Sequence, residues 1–102
     1  MILYNVTINL DENIHQEWLE WMKTKHIPDV MNTGCFIESK IYRIHSDDEG
    51  VTFAVQYLCE DMNRYEKYRD YFAQPLQQEH IDKFQGKFAA FRTILEIVHQ
   101  HK

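Results

Sequence analysis

The residues with the clearest capacity for chemistry lie between Trp18 and Phe36, in the segment WLEWMKTKHIPDVMNTGCF. An imidazole ordinarily titrates near neutrality, so that of His26 could act as a general base or form a hydrogen bond to a ligand. The same imidazole could instead satisfy carbonyl groups that lose their donor where Pro28 interrupts a helix. Trp18 and Trp21 could form an aromatic wall against a planar ligand, or could simply pack in the core. Both interpretations stay open at the level of sequence.

Other familiar arrangements of reactive residues are missing from the sequence. The six histidines include no HExxH motif and no i, i+4 pair on a helix, so no metal site is expected. The three glycines are too isolated to cradle a phosphate, and neither GxSxG nor a Ser-His-Asp order occurs. No cofactor is therefore expected. Cys35 and Cys59 lack a CxxC spacing, which favours two buried, free thiols in a reducing cytoplasm.

The composition limits the classes of partner. The formal net charge is −5 and the eleven basic residues are scattered, whereas a nucleic-acid backbone requires clustered Lys and Arg. No nucleic-acid partner is therefore expected. No apolar stretch approaches the roughly 20 residues of a membrane span, and the N-terminus has no features of a signal peptide. A length of 102 residues favours one domain, and a cytoplasmic location is expected.

The hydrophobic periodicity predicts the elements that must position these residues. Alternating apolar residues indicate strands, and the recurrence of Ile14, Trp18, Trp21 and Met22 indicates an amphipathic helix. The predicted elements are a strand over 2–10, a helix from 14 that is disturbed near Ile27 and ends by Gly34, strands over 35–45 and 51–59, a helix over 61–84 broken at Gln74-Pro75, and a strand over 87–98. The order β-α-β-β-α-β predicts an α+β, ferredoxin-like fold, in which two helices cover one face of an antiparallel sheet.

The second face of such a sheet is left open by the helices. On the first and third strands that face carries a mixture of polar and small apolar residues: Leu3, Asn5, Thr7, Asn9, Thr52, Ala54, Gln56 and Leu58. This mixture favours a homodimer in which a second sheet encloses a small polar cavity on the open face. The long, largely apolar last strand also favours pairing, since exposed edges are usually protected. The candidate ligand-binding residues are Asn5, Trp18, His26, Gln56 and Tyr57.

The element order, the length and the WLEWM…HIPDVMNTGCF segment resemble the dimeric α/β-barrel superfamily, which includes antibiotic-biosynthesis-type and haem-degrading monooxygenases and muconolactone-isomerase-like proteins. More closely, residues 1–36 resemble a small bacterial family of unknown function that is typical of Bacteroidetes. The superfamily resemblance implies a functional Asn on the first strand, a Trp, and a His on a helix. Asn5 and His80 match the first and the last. Phe53 and Tyr57 occupy the third strand instead of Trp, which argues against haem degradation.

Three hypotheses on function follow, and no catalytic residue is assigned. The first is a homodimer that binds a small metabolite in the cavity on the open sheet face. The second is a cofactor-independent monooxygenase or isomerase, for which the superfamily resemblance is the main support. The third is a structural module that adds its sheet to another protein.

Overall fold

The computed structural model describes residues 1–102 and contains one four-stranded antiparallel sheet with helices across one face. The strands are β1 (Ile2–Leu10), β2 (Glu38–Ile44), β3 (Val51–Cys59) and β4 (Phe88–Glu96), in the spatial order β2-β3-β1-β4. This is the predicted ferredoxin-like arrangement. None of the helices is long and apolar enough to cross a membrane.

The connection from β1 to β2 is helical but irregular. It contains a 3-10 turn (Glu12–Ile14), α1 (His15–Trp21), a π-helical turn (Met22–His26) and α2 (Ile27–Met31). The disturbance predicted near Ile27 is therefore present, but as a widened turn that precedes the proline and not as a break. Proline lacks the N–H of a regular α-helical ladder, and its ring needs room near the carbonyl four residues earlier. Gly34 ends the segment, as predicted, with a positive φ of 77°.

The second helical connection is divided into α3 (Met62–Tyr71) and α4 (Ala73–Lys83). The division falls at Phe72, whose φ of −125° is not helical. The predicted break was at Gln74-Pro75, two residues later. The difference arises because a proline ring disturbs the carbonyl four residues before it, so that the effect of Pro75 falls at the end of α3.

The two edge strands are shorter than predicted. The prediction for β2 began at Cys35, but this thiol and Phe36 are buried in the core just before the strand starts. The prediction for β4 extended to 98, whereas Val98 is 90% exposed and lies beyond the strand. Both cysteines are free and buried, as predicted.

Side-chain alternation separates the sheet into a covered and an open face. Tyr4 pairs with Tyr57 and with Ile94 across its two neighbouring strands; Tyr4 and Tyr57 belong to the core beneath the helices, and the half-buried Ile94 packs against it. The open face combines polar residues with exposed apolar side chains, namely Tyr42, Ile44, Phe91 and Leu95. The helices therefore leave one broad surface of the sheet without a partner.

Candidate functional site

A cavity of about 50 Å³ lies between the covered face of the sheet and the helices. Eleven of its fifteen lining residues are hydrophobic, and its floor includes the small side chains of Val6, Val55 and Ala90. These side chains leave space beneath the helices. The enclosed part holds only a few atoms, since one water needs about 10–15 Å³. With its open mouth, the concave region spans about 520 Å³.

His26 lines this cavity, and one nitrogen of its ring has no hydrogen-bond partner. The residue ends the π-helical turn, is only 9% exposed, and stacks on Trp21 with ring centroids 5.3 Å apart. Its Nδ1 is buried and has no hydrogen-bond partner. Since neither ring nitrogen bonds a backbone carbonyl, the alternative structural role next to Pro28 is not seen. A buried polar atom without a partner costs about 1–3 kcal/mol, which a ligand atom in the cavity could offset.

His80 of α4 is fixed by a tryptophan. The indole Nε1 of Trp18 donates a hydrogen bond to Nε2 of His80 at 2.8 Å. Because this nitrogen accepts, the neutral imidazole must carry its proton on Nδ1. Trp18 is fully buried and stacks on Phe53 with ring centroids 5.0 Å apart. It therefore combines the predicted packing role with a polar contact at the cavity wall.

Both cavity histidines are uncharged at neutral pH. Burial lowers the pKa of His26 to about 4, with Lys25 and Arg92 acting in the same direction and Asp29 opposing them. Burial also lowers the pKa of His80 to about 4, and the charges of His26 and Arg92 contribute to this shift. The two rings are 5.8 Å apart, edge to face. The cavity thus contains two neutral imidazoles, of which His26 has a free nitrogen.

Tyrosine hydroxyls, the amide of Gln77 and one arginine supply the other polar groups. Nε of Arg92 on β4 donates a hydrogen bond to the hydroxyl of Tyr4 at 3.0 Å, and the arginine is exposed at the cavity mouth. Burial raises the pKa of Tyr57 and of Tyr68, so their phenols stay protonated. The polar atoms available to a ligand are therefore neutral donors and acceptors, together with one cation.

The five predicted site residues lie on two sides of the sheet. Trp18, His26 and Tyr57 line the cavity, whereas Asn5 and Gln56 lie on the open face and do not. Nε2 of Gln56 donates to Oδ1 of Asn5 at 3.2 Å, so the two amides are partners of each other. Asn5 and Gln56 are separated from the covered cavity because adjacent residues such as 56 and 57 point to opposite faces of the sheet. The cavity expected between the open faces of two copies stays a prediction.

Four polar residues that line the cavity were not among the predicted site residues: Tyr4, Tyr68, Gln77 and Arg92. Tyr4 is a buried core residue on the covered face of β1, opposite the face whose residues the sequence singled out. The face of Arg92 is set by its pairing with Val6 across β1 and β4. The last strand has apolar residues on both faces, so its sequence carried no alternation that could have located the arginine.

Solved structures of other proteins have the same fold as this chain. A dimeric ferredoxin-like protein from an uncultured marine organism superposes with a TM-score of 0.75 at 11% identity, covering 99% of this chain and 97% of that chain. A mutant of SnoaB, a cofactor-independent oxygenase from Streptomyces nogalater, gives a TM-score of 0.70 at 8% identity, covering 97% and 94%. At such identities the likeness shows the fold alone.

The ligand of a third neighbour is a porphyrin, and the cavity of this chain can be compared with the needs of such a ligand. A mutant of MhuD with two manganese protoporphyrin IX molecules per active site gives a TM-score of 0.68 at 14% identity, covering 100% of this chain and 99% of that chain. In the present chain Nε2 of His80 is already bonded to Trp18, and the enclosed cavity of about 50 Å³ is far below the roughly 300–1,000 Å³ of typical ligand pockets. These residues do not fit a porphyrin.

The sequence itself identifies a family. No protein of curated function matches it. Residues 1–98 match the model of the family described as a domain of unknown function, DUF4286, and the chain belongs to that family.

Proposed function

We propose that this chain binds a compact small molecule in the covered cavity. The observation that carries the proposal is the buried, unpartnered Nδ1 of His26 on a wall that is otherwise mostly hydrophobic. Apolar pockets with a few well-placed polar groups are typical of small-molecule sites. A ligand that combines an apolar body with one hydrogen-bonding atom would satisfy the imidazole and fill the space.

Titration with small neutral probes tests this proposal. Phenol, indole and benzamide are added to ¹⁵N-labelled protein, and shifts of the amide signals of cavity residues are followed. His26→Phe keeps a ring but removes the nitrogen, and should weaken binding about twofold to tenfold, since one such hydrogen bond contributes about 0.5–1.5 kcal/mol. His45→Phe is the matched control, because His45 is exposed outside the cavity. Binding that His26→Phe leaves unchanged, or no shifts with any probe, would contradict the proposal.

We propose further that a second copy covers the open sheet face. The exposed side chains of Tyr42, Phe91 and Leu95 on this face are the support, together with the neighbour described as a dimeric ferredoxin-like protein. Light scattering should give about twice the 12.4 kDa mass of the chain. Phe91→Asp should yield monomers, because it places a charge in the apolar contact.

The control for this test is Tyr71→Asp. Tyr71 is 76% exposed on α3, across the helices from the open face, so its substitution should leave the dimer intact. A wild-type mass of 12.4 kDa at every concentration would refute the homodimer.

A second candidate function is that of a cofactor-independent monooxygenase or isomerase. The observation that favours it is the uncharged imidazole of His26 at the cavity, which has a ring nitrogen without a hydrogen-bond partner. Because burial lowers the pKa of His26 to about 4, this imidazole is a weak base and would accept a proton only from an O–H or C–H group that is itself acidic in the site. The proposal is tested by oxygen uptake with 1-naphthol, and by proton exchange with solvent for an isomerase. Activity that persists in His26→Gln would remove this role.

We propose a cytoplasmic location on the basis of the two thiols. Cys35 and Cys59 are both buried and free. Burial, with the nearby Asp61, raises the pKa of Cys59, which keeps the thiol protonated and unreactive. Fractionation of cells that produce the tagged protein should recover it with cytosolic markers, and recovery with the envelope would contradict the proposal.

A further inference from the structure

The cation at the cavity mouth has no anion. The guanidinium of Arg92 uses only Nε, in the bond of 3.0 Å to the hydroxyl of Tyr4. The chain contains sixteen Asp and Glu residues, yet none forms an ion pair with Arg92. The hydroxyl of Tyr4 accepts this bond and donates none, so its proton is also available. Two donors thus lie together beside the apolar cavity.

We propose that Arg92 and Tyr4 bind the carboxylate of the ligand, which makes the preferred ligand a compact monocarboxylic acid. This inference rests on the proposed binding function of the cavity. Arginine presents two N–H groups in a planar fork that matches the two oxygens of a carboxylate. The hydroxyl of Tyr4 can donate a further bond to the same group.

The charge of the site favours a singly charged group over a phosphate. Arg92 is the one cation among the cavity residues, because both histidines there are neutral at pH 7. One guanidinium balances one carboxylate, but leaves part of a phosphate uncompensated, since a phosphate monoester carries about −1.5 to −2 charges. The formal net charge of −5 adds repulsion for a more highly charged ligand.

The same geometry orients the ligand. Arg92 is exposed at the mouth, whereas His26 is 9% exposed on the cavity wall. A carboxylate held at the mouth directs the remaining body of the acid into a space lined mostly by hydrophobic side chains. Since the enclosed part is about 50 Å³, only a short chain or the tip of a ring enters it fully.

Matched pairs of acids and amides test the inference. The probes are butyrate with butyramide and benzoate with benzamide, each pair being close in shape but different in charge. Dissociation constants are obtained from the amide shifts of cavity residues at pH 7 for wild type, Arg92→Gln and Tyr4→Phe. Arg43→Gln is the control variant, because Arg43 lies on the same sheet face in β2 but outside the cavity.

The expected results are specific to charge. Wild type should bind the acid of a pair about tenfold or more tightly than the amide, as a charged hydrogen bond contributes about 1.5–3 kcal/mol. Arg92→Gln should abolish that preference and change amide affinity less than about twofold. Tyr4→Phe should weaken acid binding about threefold to tenfold, and Arg43→Gln should change neither probe.

Three results would overturn the inference. If acid and amide bind equally to wild type, or if Arg92→Gln retains the preference, the carboxylate site is wrong while binding in the cavity stands. If Arg43→Gln removes the preference as fully as Arg92→Gln, the preference arises from the overall charge of the protein, and the assignment of the carboxylate to Arg92 and Tyr4 is wrong. If no probe of either pair shifts the cavity signals, both the inference and the proposed binding function fail.

Discussion

Acidification should destabilise this protein well above the pH at which ordinary carboxyl groups become protonated. Burial lowers the pKa of His26 and of His80 from 6.5 to about 4. The unfolded chain therefore binds more protons than the folded chain between these two values. The contribution that the two uncharged imidazoles make to the free energy of unfolding is fully present above pH 6.5 and is lost as the pH falls towards 4.

The size of the effect follows from the two shifts. Each proton taken up only on unfolding lowers the free energy of unfolding by about 1.4 kcal/mol per pH unit. Over the window from pH 6.5 to about 4, each imidazole accounts for about 3 to 4 kcal/mol of the free energy of unfolding, and the pair for about 7 kcal/mol. Typical domains have about 5–15 kcal/mol in total, so acid near pH 4 should leave the fold marginal.

Urea unfolding at a fixed protein concentration measures this dependence. Transitions are followed by circular dichroism at several values between about pH 7.5 and 4.5, and the free energy of unfolding is plotted against pH. His80→Gln should reduce the slope by about half, because one of the two titrating groups is lost. His45→Gln is the control, since His45 is exposed and its substitution should leave the slope unchanged.

Two outcomes would refute the reasoning. A free energy of unfolding that stays constant from pH 6.5 to about 4.5 would mean that the imidazoles are not desolvated in the folded state. An unchanged slope in His80→Gln would mean that other groups cause the acid sensitivity.

Three further substitutions test the local structure. Trp18→Phe removes the donor 2.8 Å from the buried nitrogen of His80, and should lower the free energy of unfolding by about 1–3 kcal/mol in urea titrations. Gly50→Ala should lower it by a similar amount, about 1–3 kcal/mol, because φ is +82° and a Cβ would lie 2.4 Å from the carbonyl oxygen of Leu10. The melting temperature reports that loss. Asp61→Ala removes the side chain that caps α3 through a bond of 2.9 Å, and should cost about 1 kcal/mol and fray the helix, which hydrogen exchange detects.

Each of these substitutions has a matched control. Trp21→Phe removes an indole that donates no hydrogen bond, and should cost less than Trp18→Phe. Gly34 has a similar positive φ, +77°, but no atom lies within 4 Å of an added Cβ, so Gly34→Ala should cost less than Gly50→Ala. Glu60→Ala removes an exposed carboxylate beside the cap of α3 without removing the cap itself. Equal losses within any pair would show that the named contact is not the cause.

The strands show how far periodicity can predict this fold. β1 and β3 alternate strictly between a covered and an open face, and both were predicted at their correct ends. β2 was predicted to begin at Cys35, because apolar residues near a glycine resemble a strand whether they pair or only pack. The break before Pro75 was displaced because proline acts one helical turn upstream of its own position.

The candidate site depends on contacts that the sequence does not encode locally. Trp18, His26 and Tyr57 could be selected by residue type. The bond from Trp18 to His80 joins residues that are 62 positions apart, so no motif could have revealed it. Asn5 and Gln56 were grouped with them although strand alternation places these amides on the other face.

The π-helical turn at Met22–His26 amounts to one additional residue in an otherwise regular helix. In an α-helix each residue advances the side-chain direction by about 100°, so deleting one residue from the turn would rotate everything before it relative to everything after it. Removal of Thr24 should regularise the helix and separate the direction of His26 from that of Trp18 and Met22, while the strands keep their register. A single-codon insertion or deletion at this turn could thus give or remove a polar group in the cavity, so the chemistry of this fold can change without a change of its architecture.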